Sequence, residues 1–116
     1  MLVQIVLKKD QILMTEGEDS DVLYLLLSGE LAVYKADGAD QQKLVGKVLP
    51  NEMVGEMSFL DNKPRSATVK ALTDCKLKMI NRPTFDKLFL SQDPMMQKLV
   101  TTLSDRLRVA NTKIQF

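Results

Sequence analysis

The first seventy or so residues alternate short apolar runs with turn-forming residues. Val3, Ile5 and Leu7 occupy every second position, and Val22–Leu27 runs directly into Ser28-Gly29. Turn signals recur about every 8 to 12 residues, a spacing typical of antiparallel sandwiches and barrels. The pattern therefore predicts a mainly β fold for this part of the chain.

Further strands and turns follow the same pattern. The Asp37-Gly38 step inside segment 36–40 predicts a hairpin loop, because glycine accepts a positive φ. Asn51 follows Pro50 and is among the few non-glycine residues that enter the left-handed region readily, which predicts a tight turn there. The remaining strands are predicted at Leu44–Leu49, Ser66–Leu72 and Lys76–Ile80.

The hydrophobic period changes from two to nearly four after Asn81. Pro83 suits the first turn of a helix, and the apolar spacing predicts a short helix over Thr84–Leu90. Asp93-Pro94 is a second start signal, followed by an amphipathic stripe of Met96, Leu99, Val100, Leu103, Leu107, Ala110 and Ile114. That stripe suits packing on the chain's own barrel or against the same helix of a second copy, so a homodimer stays open.

Composition limits the partners and the chemistry. Lys and Arg number 16 against 15 Asp and Glu, which gives no net field for a nucleic acid polymer or a membrane surface. We therefore expect contact with neither, and any anionic partner has to be held by a local site. Histidine is absent and Cys75 is the one cysteine, which argues against a metal site and an enzyme. A lone cysteine and the lack of a leader-like start favour a cytoplasmic setting.

The segment most informative about function is 54–69. Gly55 allows the backbone to approach a ligand closely, Glu56 follows it, and the next apolar residues fit one helical turn whose free N–H groups attract anions. Residues 61–64 are expected to turn the chain back, so that Arg65 opens the next strand beside that helix start. A phosphate held by Arg65 would leave Glu56 to accept bonds from a sugar hydroxyl, which is the arrangement of a nucleotide site.

The same two residues also fit a simpler arrangement. An exposed Glu56–Arg65 ion pair across a turn would contribute only about 0 to 1 kcal/mol and would need no ligand. The residues by themselves leave both interpretations open.

The order Gly-Glu, a short apolar turn and then Pro-Arg-Ser-Ala-Thr-Val resembles the phosphate-binding cassette of the cyclic nucleotide-binding domain family. Gly17, Tyr24 and Gly29 match its earlier glycine and strand pattern, so the resemblance covers nearly the whole chain. It implies one domain over 1–116: a double-stranded β-helix (jelly-roll) barrel over 1–80 with the cassette at 54–69, and C-terminal helices over 81–116. These would be a short hinge helix and a terminal lid or dimer helix.

The resemblance also implies a role for each site residue. Glu56 and the backbone of Gly55 would meet the ribose 2′-hydroxyl, Arg65 would grip the cyclic phosphate, and backbone N–H groups at Ser58 and Ser66 would complete the cradle. The ligand-binding set it implies is Gly55, Glu56, Met57, Ser58, Arg65, Ser66 and Ala67. Ser66 follows the arginine where a threonine often accompanies cyclic GMP preference, and we favour cyclic AMP over cyclic GMP.

The last helix carries the candidates for a residue that caps the base. These are Arg106, Leu107 and Ala110, with a solvated face as the simpler interpretation of the arginine. The resemblance implies a regulatory sensor that couples ligand capture to movement of this helix. A ligand-free interaction platform and an esterase are the alternatives, and the absence of histidine argues against the second.

The chain departs from the family pattern in several places. Asn51-Glu52-Met53-Val54 stands where many members have Gly-Asp-Phe-Phe, the β pattern begins almost at Leu2, and no output segment follows the last helix. We therefore expect a domain excised from a larger protein. Ser28-Gly29-Glu30 is interpreted as a plain turn, Cys75 as a small buried hydrophobe, and Met14, Met53, Met57, Met79 and Met96 as core residues.

Overall fold

A computed structural model of the chain describes residues 2–110, apart from the side chains of residues 57, 61 and 107–110. Its strands are β1 (Val3–Leu7), β2 (Ile12–Met14), β3 (Val22–Ser28), β4 (Leu31–Ala36), β5 (Gln42–Val48), β6 (Met53–Val54), β7 (Thr68–Ala71) and β8 (Cys75–Asn81). Its helices are α1 (Glu56–Asp61), α2 (Arg82–Leu90) and α3 (Pro94–Ala110).

The strands form two antiparallel four-stranded sheets. Their orders are β1-β8-β3-β6 and β2-β7-β4-β5, so, apart from the β4–β5 hairpin, neighbouring strands are not consecutive in the chain. Side chains of both sheets meet in one core that includes Leu26 and Leu77 from the first and Leu31, Val33 and Val69 from the second. The predicted mainly β fold with C-terminal helices is confirmed.

The turns predicted at Asn51 and at segment 36–40 are confirmed. Asn51 has a φ of 73°, and the loop between β4 and β5 contains Gly38 at 88°. Gly29 has a φ of 92° in the turn between β3 and β4. A Cβ at this position would also lie 2.4 Å from the Asp74 carbonyl oxygen and 2.7 Å from Cys75 Sγ, so the turn and its packing account for the glycine. Cys75 itself is free and buried, as expected of a small hydrophobe.

Helix α2 begins two residues earlier than predicted. Asn81 caps it by accepting a hydrogen bond from the Thr84 N–H at 2.9 Å, and Pro83 lies in the first turn. A capping asparagine two positions before the proline satisfies a free N–H group and lets the helix start at Arg82. Strand β7 begins later than predicted, at Thr68, so Arg65 lies in the loop before this strand and does not open it.

Helix α3 keeps its apolar stripe largely exposed. Met96, Leu99, Val100 and Leu103 are between 38% and 49% exposed. The expectation that the methionines fill the core is right for Met14 but wrong for Met96 and for Met53, which is 47% exposed on the two-residue strand β6. The Met57 and Leu107 side chains and residue Ile114 lie outside the described part of the chain.

Candidate functional site

Gly55 is fixed by two requirements at the start of α1. It has a φ of 79° and a ψ of 12°, a left-handed conformation that costs a residue with a Cβ atom about 1 kcal/mol or more. A Cβ at this position would also lie 2.3 Å from Arg65 Nη1. Glycine therefore lets the guanidinium of Arg65 lie directly against the helix start.

Arg65 is buried, with 5% of its surface exposed. Its Nη1 donates to the Gly55 carbonyl at 3.1 Å, and Nη2 donates to the Val22 carbonyl. The guanidinium carbon is 5.9 Å from the centroid of the Tyr24 ring. Two of five N–H donors are engaged in these bonds, so a bound anion would have the other three available.

The backbone holds Arg65 against the loop between β2 and β3. The Arg65 N–H donates to the Glu18 carbonyl at 2.7 Å, and the Gly17 N–H donates to the Arg65 carbonyl at 2.9 Å. Burial lowers the pKa of Arg65, while Tyr24, Glu18 and Asp21 act in the opposite direction. An arginine remains protonated under such conditions, so the site holds a permanent buried positive charge.

Glu56 is the first residue of α1 and is half-buried. Burial raises the pKa of its carboxyl, the backbone N–H of Glu56 offsets part of the rise, and Glu52 adds to it. The ion pairs found among the described residues are Lys8–Asp74, Lys47–Glu30 and Lys70–Asp10, and none joins Glu56 to Arg65. The surface ion-pair alternative is therefore not what the structure shows.

Ser66 contributes a buried hydroxyl beside Arg65. Its Oγ has no hydrogen-bond partner among the described residues. An unpaired buried hydroxyl costs about 1 to 3 kcal/mol, so such a group is a natural position for a ligand atom. Ser58 and Ala67 are buried on either side of the turn.

The backbone N–H groups of residues 56–58 precede the first hydrogen bond of α1. That bond runs from the Phe59 N–H to the Gly55 carbonyl at 3.0 Å. Such early N–H groups carry partial positive charge and lack a partner within the helix. Of the predicted set, the structure brings Arg65 against Gly55 at the start of this helix, with Met57 represented by its backbone alone.

The sequence interpretation missed the acidic side of this site. A cleft of about 570 Å³ borders Arg65 and is lined by Glu18, Asp19, Asp21 and Tyr24 among others. These residues follow β2, some 40 positions before Arg65, so no local pattern ties them to it. The acidic residues Glu18, Asp19 and Asp21 were the available signal, because a buried guanidinium requires carboxylates or carbonyls nearby.

The base-lid candidates are Arg106, Leu107 and Ala110 on α3. Arg106 is exposed on α3, and the side chains of Leu107 and Ala110 lie outside the described part of the chain. The lid therefore stays a prediction.

The sequence profile of the cyclic nucleotide-binding domain family matches residues 4–92. With a fold of two antiparallel sheets, a glycine-initiated turn and a buried arginine, the chain belongs to this family. It is 26% identical over 108 residues to a cAMP-dependent protein kinase regulatory subunit of Dictyostelium discoideum, covering 93% of this chain and 33% of the relative. The chain spans a third to a half of the length of the first curated relatives it matches.

Solved structures agree with the family assignment. The catabolite activator protein of Thermus thermophilus superposes with a TM-score of 0.79 at 26% identity, covering 97% of this chain and 53% of that one. The EAL enzyme Bd1971 superposes in its cAMP-bound form with a TM-score of 0.73 at 30% identity, covering 93% and 29%. Its cGMP-bound form gives a TM-score of 0.74 at 28% identity, covering 94% and 29%.

Proposed function

We propose that this domain binds a cyclic nucleotide in the cassette, prefers cyclic AMP to cyclic GMP, and passes the binding event to its C-terminal helices. The observation that carries the proposal is the buried Arg65 guanidinium, held against the start of α1 beside the unpaired Ser66 hydroxyl. A cyclic phosphate supplies the negative charge and the acceptor atoms that this arrangement lacks.

In the proposed complex the phosphate meets Arg65 from the α1 side, away from the carboxylates of the β2–β3 loop. The N–H groups of 56–58 and the Ser66 hydroxyl complete its contacts. Glu56 accepts from the ribose 2′-hydroxyl, a bond that favours the ionised carboxylate and offsets the effect of its burial.

Cyclic AMP is preferred because Ser66 stands where threonine accompanies cyclic GMP preference in the family. Bd1971 occurs in both cAMP-bound and cGMP-bound forms, so relatives of this kind accept either base. Comparison of the affinities for the two nucleotides measures this preference.

Transmission to the helices is supported by aromatic contacts and loose packing around α2. The Phe59 ring of α1 stacks on Phe85 of α2 with centroids 5.1 Å apart, and Phe85 meets Phe89 at 5.8 Å. Cavities of about 430 and 220 Å³ border α2, and no residue of α2 is buried. A helix with few buried contacts shifts at low cost, which suits a hinge.

We also infer that the domain regulates a partner segment and catalyses no reaction, in keeping with its histidine-free sequence and the regulatory relatives. A cytoplasmic setting fits the lone buried thiol of Cys75. Within the described residues, no helix is both long and apolar enough to cross a membrane.

Calorimetric titration tests the proposal directly. Cyclic AMP is expected to bind more tightly than cyclic GMP, and linear AMP to bind weakly because the cradle fits one compact cyclic phosphate. The absence of heat with both cyclic nucleotides up to millimolar concentration would favour the ligand-free platform instead. Release of AMP during the titration would favour the esterase.

The ribose contact is tested with 2′-deoxy cyclic AMP. The unmodified domain is expected to bind it more weakly than cyclic AMP, whereas Glu56→Ala, which has no side-chain acceptor, should bind the two with nearly equal affinity. If the variant keeps the full discrimination, another group recognises the 2′-hydroxyl.

A further inference from the structure

Arg82, the first residue of α2, contacts two separate parts of the molecule, α1 and the β2–β3 loop. Its Nη2 donates to the Phe59 carbonyl of α1 at 2.6 Å and to the Ser20 carbonyl of the β2–β3 loop at 3.0 Å. Its guanidinium carbon is 4.3 Å from the centroid of the Phe59 ring. The Arg82 backbone N–H donates to the Asp21 carbonyl at 2.9 Å.

These contacts require an arginine. A planar guanidinium can donate to two carbonyls and lie over an aromatic ring at the same time, whereas a lysine ammonium is a compact charge without that geometry. The Arg82 Nε is buried with no partner among the described residues, so the arrangement is maintained at some cost. A group held in place at a cost is a candidate for a role beyond packing.

The cassette turn closes without Arg82. The Phe59 carbonyl also accepts from the Asn62 N–H at 3.3 Å, and the Lys63 N–H donates to the Ser58 carbonyl at 3.0 Å. The Ser20 hydroxyl adds a bond to the Ser58 carbonyl at 2.8 Å. Since α1 keeps its own C-terminal bonds, Arg82 contributes chiefly the link between α1, the loop and α2.

We propose that Arg82 is the positioning residue that couples the cassette to the hinge: movement of the Phe59 carbonyl on ligand binding displaces the first turn of α2 through the guanidinium. The inference rests on the proposed function, since it needs a ligand that moves α1. Coupling of two sites is a free energy carried by contacts that differ between two states, and Arg82 contacts both the element that binds and the element that responds.

The test is amide hydrogen exchange of the full chain with and without saturating cyclic AMP, followed by mass spectrometry. In the unmodified protein, ligand is expected to change the exchange of peptides from 54–69 and from 82–110. In Arg82→Lys the response of 54–69 should persist, while the response of 82–110 falls about fivefold or more. Lys87→Met, which removes an exposed cation from the same helix, is the matched control and should respond as the unmodified protein does.

Each outcome bears on one proposal or the other. Absence of any response at 54–69 in the unmodified protein would overturn the proposed function and the coupling with it. A cassette response with an unchanged helix response in Arg82→Lys would overturn the coupling through Arg82 alone. A cassette response with no helix response in the unmodified protein would overturn that coupling and the proposed transmission to the helices, and would leave the ligand binding standing. Loss of the cassette response in Arg82→Lys would assign Arg82 to ligand binding instead.

A second variant guards against misfolding. Arg82→Gln keeps a donor without the charge or the ring contact, and it should also lose the helix response while retaining the cassette response. If both variants unfold, as judged by thermal melts, Arg82 holds the fold and the coupling proposal is wrong.

Discussion

At the scale of single residues, Arg65 and Glu56 differ in their burial and in the contacts of their charged groups. The Arg65 guanidinium is buried and donates to the Gly55 and Val22 carbonyls. The Glu56 carboxyl is half-buried, lies outside the described ion pairs, and has a raised pKa. Ionisable groups whose titration is perturbed by burial are typical of ligand sites, and each of these two residues gives a separate prediction.

Arg65→Lys is expected to weaken cyclic AMP binding at least about tenfold, because the ammonium keeps the charge but loses the fork that can meet a phosphate with two bonds. Titration calorimetry measures the change. Lys63→Met, an exposed cation two positions earlier, is the control and should bind almost normally. Equal affinities for Arg65→Lys and the unmodified domain would remove Arg65 from the phosphate site.

The raised pKa of Glu56 predicts a pH dependence of stability. A carboxyl whose pKa is higher in the folded than in the unfolded chain binds more protons when folded, so its ionisation lowers the free energy of unfolding. This loss develops as pH rises from the ordinary value of 4.5 through the raised folded value. Glu56→Gln should therefore stabilise the ligand-free domain near neutral pH and have little effect below 4.5.

Urea denaturation at about pH 4 and about pH 7 measures this difference. Asp37→Asn, in the exposed loop between β4 and β5, is the control for loss of a carboxylate. A Glu56→Gln effect of the same size at both pH values would mean that ionised Glu56 is not disfavoured in the fold.

The residue scale also shows what sequence can predict. Gly55, Glu56, Arg65 and Ser66 could be proposed as site residues because they stand within one short motif. The Val22 carbonyl and the Tyr24 ring, which contact Arg65, were not assigned that role because they lie about 40 positions earlier, on a strand of the other sheet from β7.

At the scale of elements, α1 depends on its cap more than on its length. It has six residues, too few for an independent helix, and Gly55 supplies its start without a side-chain hydrogen bond. The alternation of apolar residues predicted the longer strands, but the two-residue strand β6 and the Asn81 cap of α2 left no periodic signal. Short elements are set by tertiary contacts, which a local pattern does not contain.

Gly55→Ala tests this dependence on the cap. The positive φ costs about 1 kcal/mol, and the added Cβ has to displace Arg65 Nη1, so both stability and cyclic AMP affinity should fall. Gly38→Ala is a matched control, because Gly38 has a φ of 88° but nothing within 4 Å of the new Cβ. Urea denaturation of the two variants separates backbone strain from the clash, and equal losses would contradict the proposed contact.

At the scale of the whole molecule, α3 presents an apolar stripe for which the described part of the chain supplies only partial cover. Met96, Leu99, Val100 and Leu103 recur at helical spacing and remain 38% to 49% exposed. The same stripe in a second copy would cover it, because two identical amphipathic helices related by a two-fold axis present complementary faces. We therefore expect the domain to form a homodimer through α3 at high protein concentration.

Leu99→Glu should shift this equilibrium towards the monomer, since it places a charge in the middle of the shared apolar face. Sedimentation velocity over a range of concentrations measures the effect. Lys98→Glu places an acidic side chain outside the stripe, because neighbouring residues of a helix are about 100° apart around its axis, and it should leave association nearly unchanged. If the unmodified domain is a monomer at every concentration, the homodimer prediction is wrong. The stripe would then be expected to pack on the chain's own barrel when α3 closes over bound ligand.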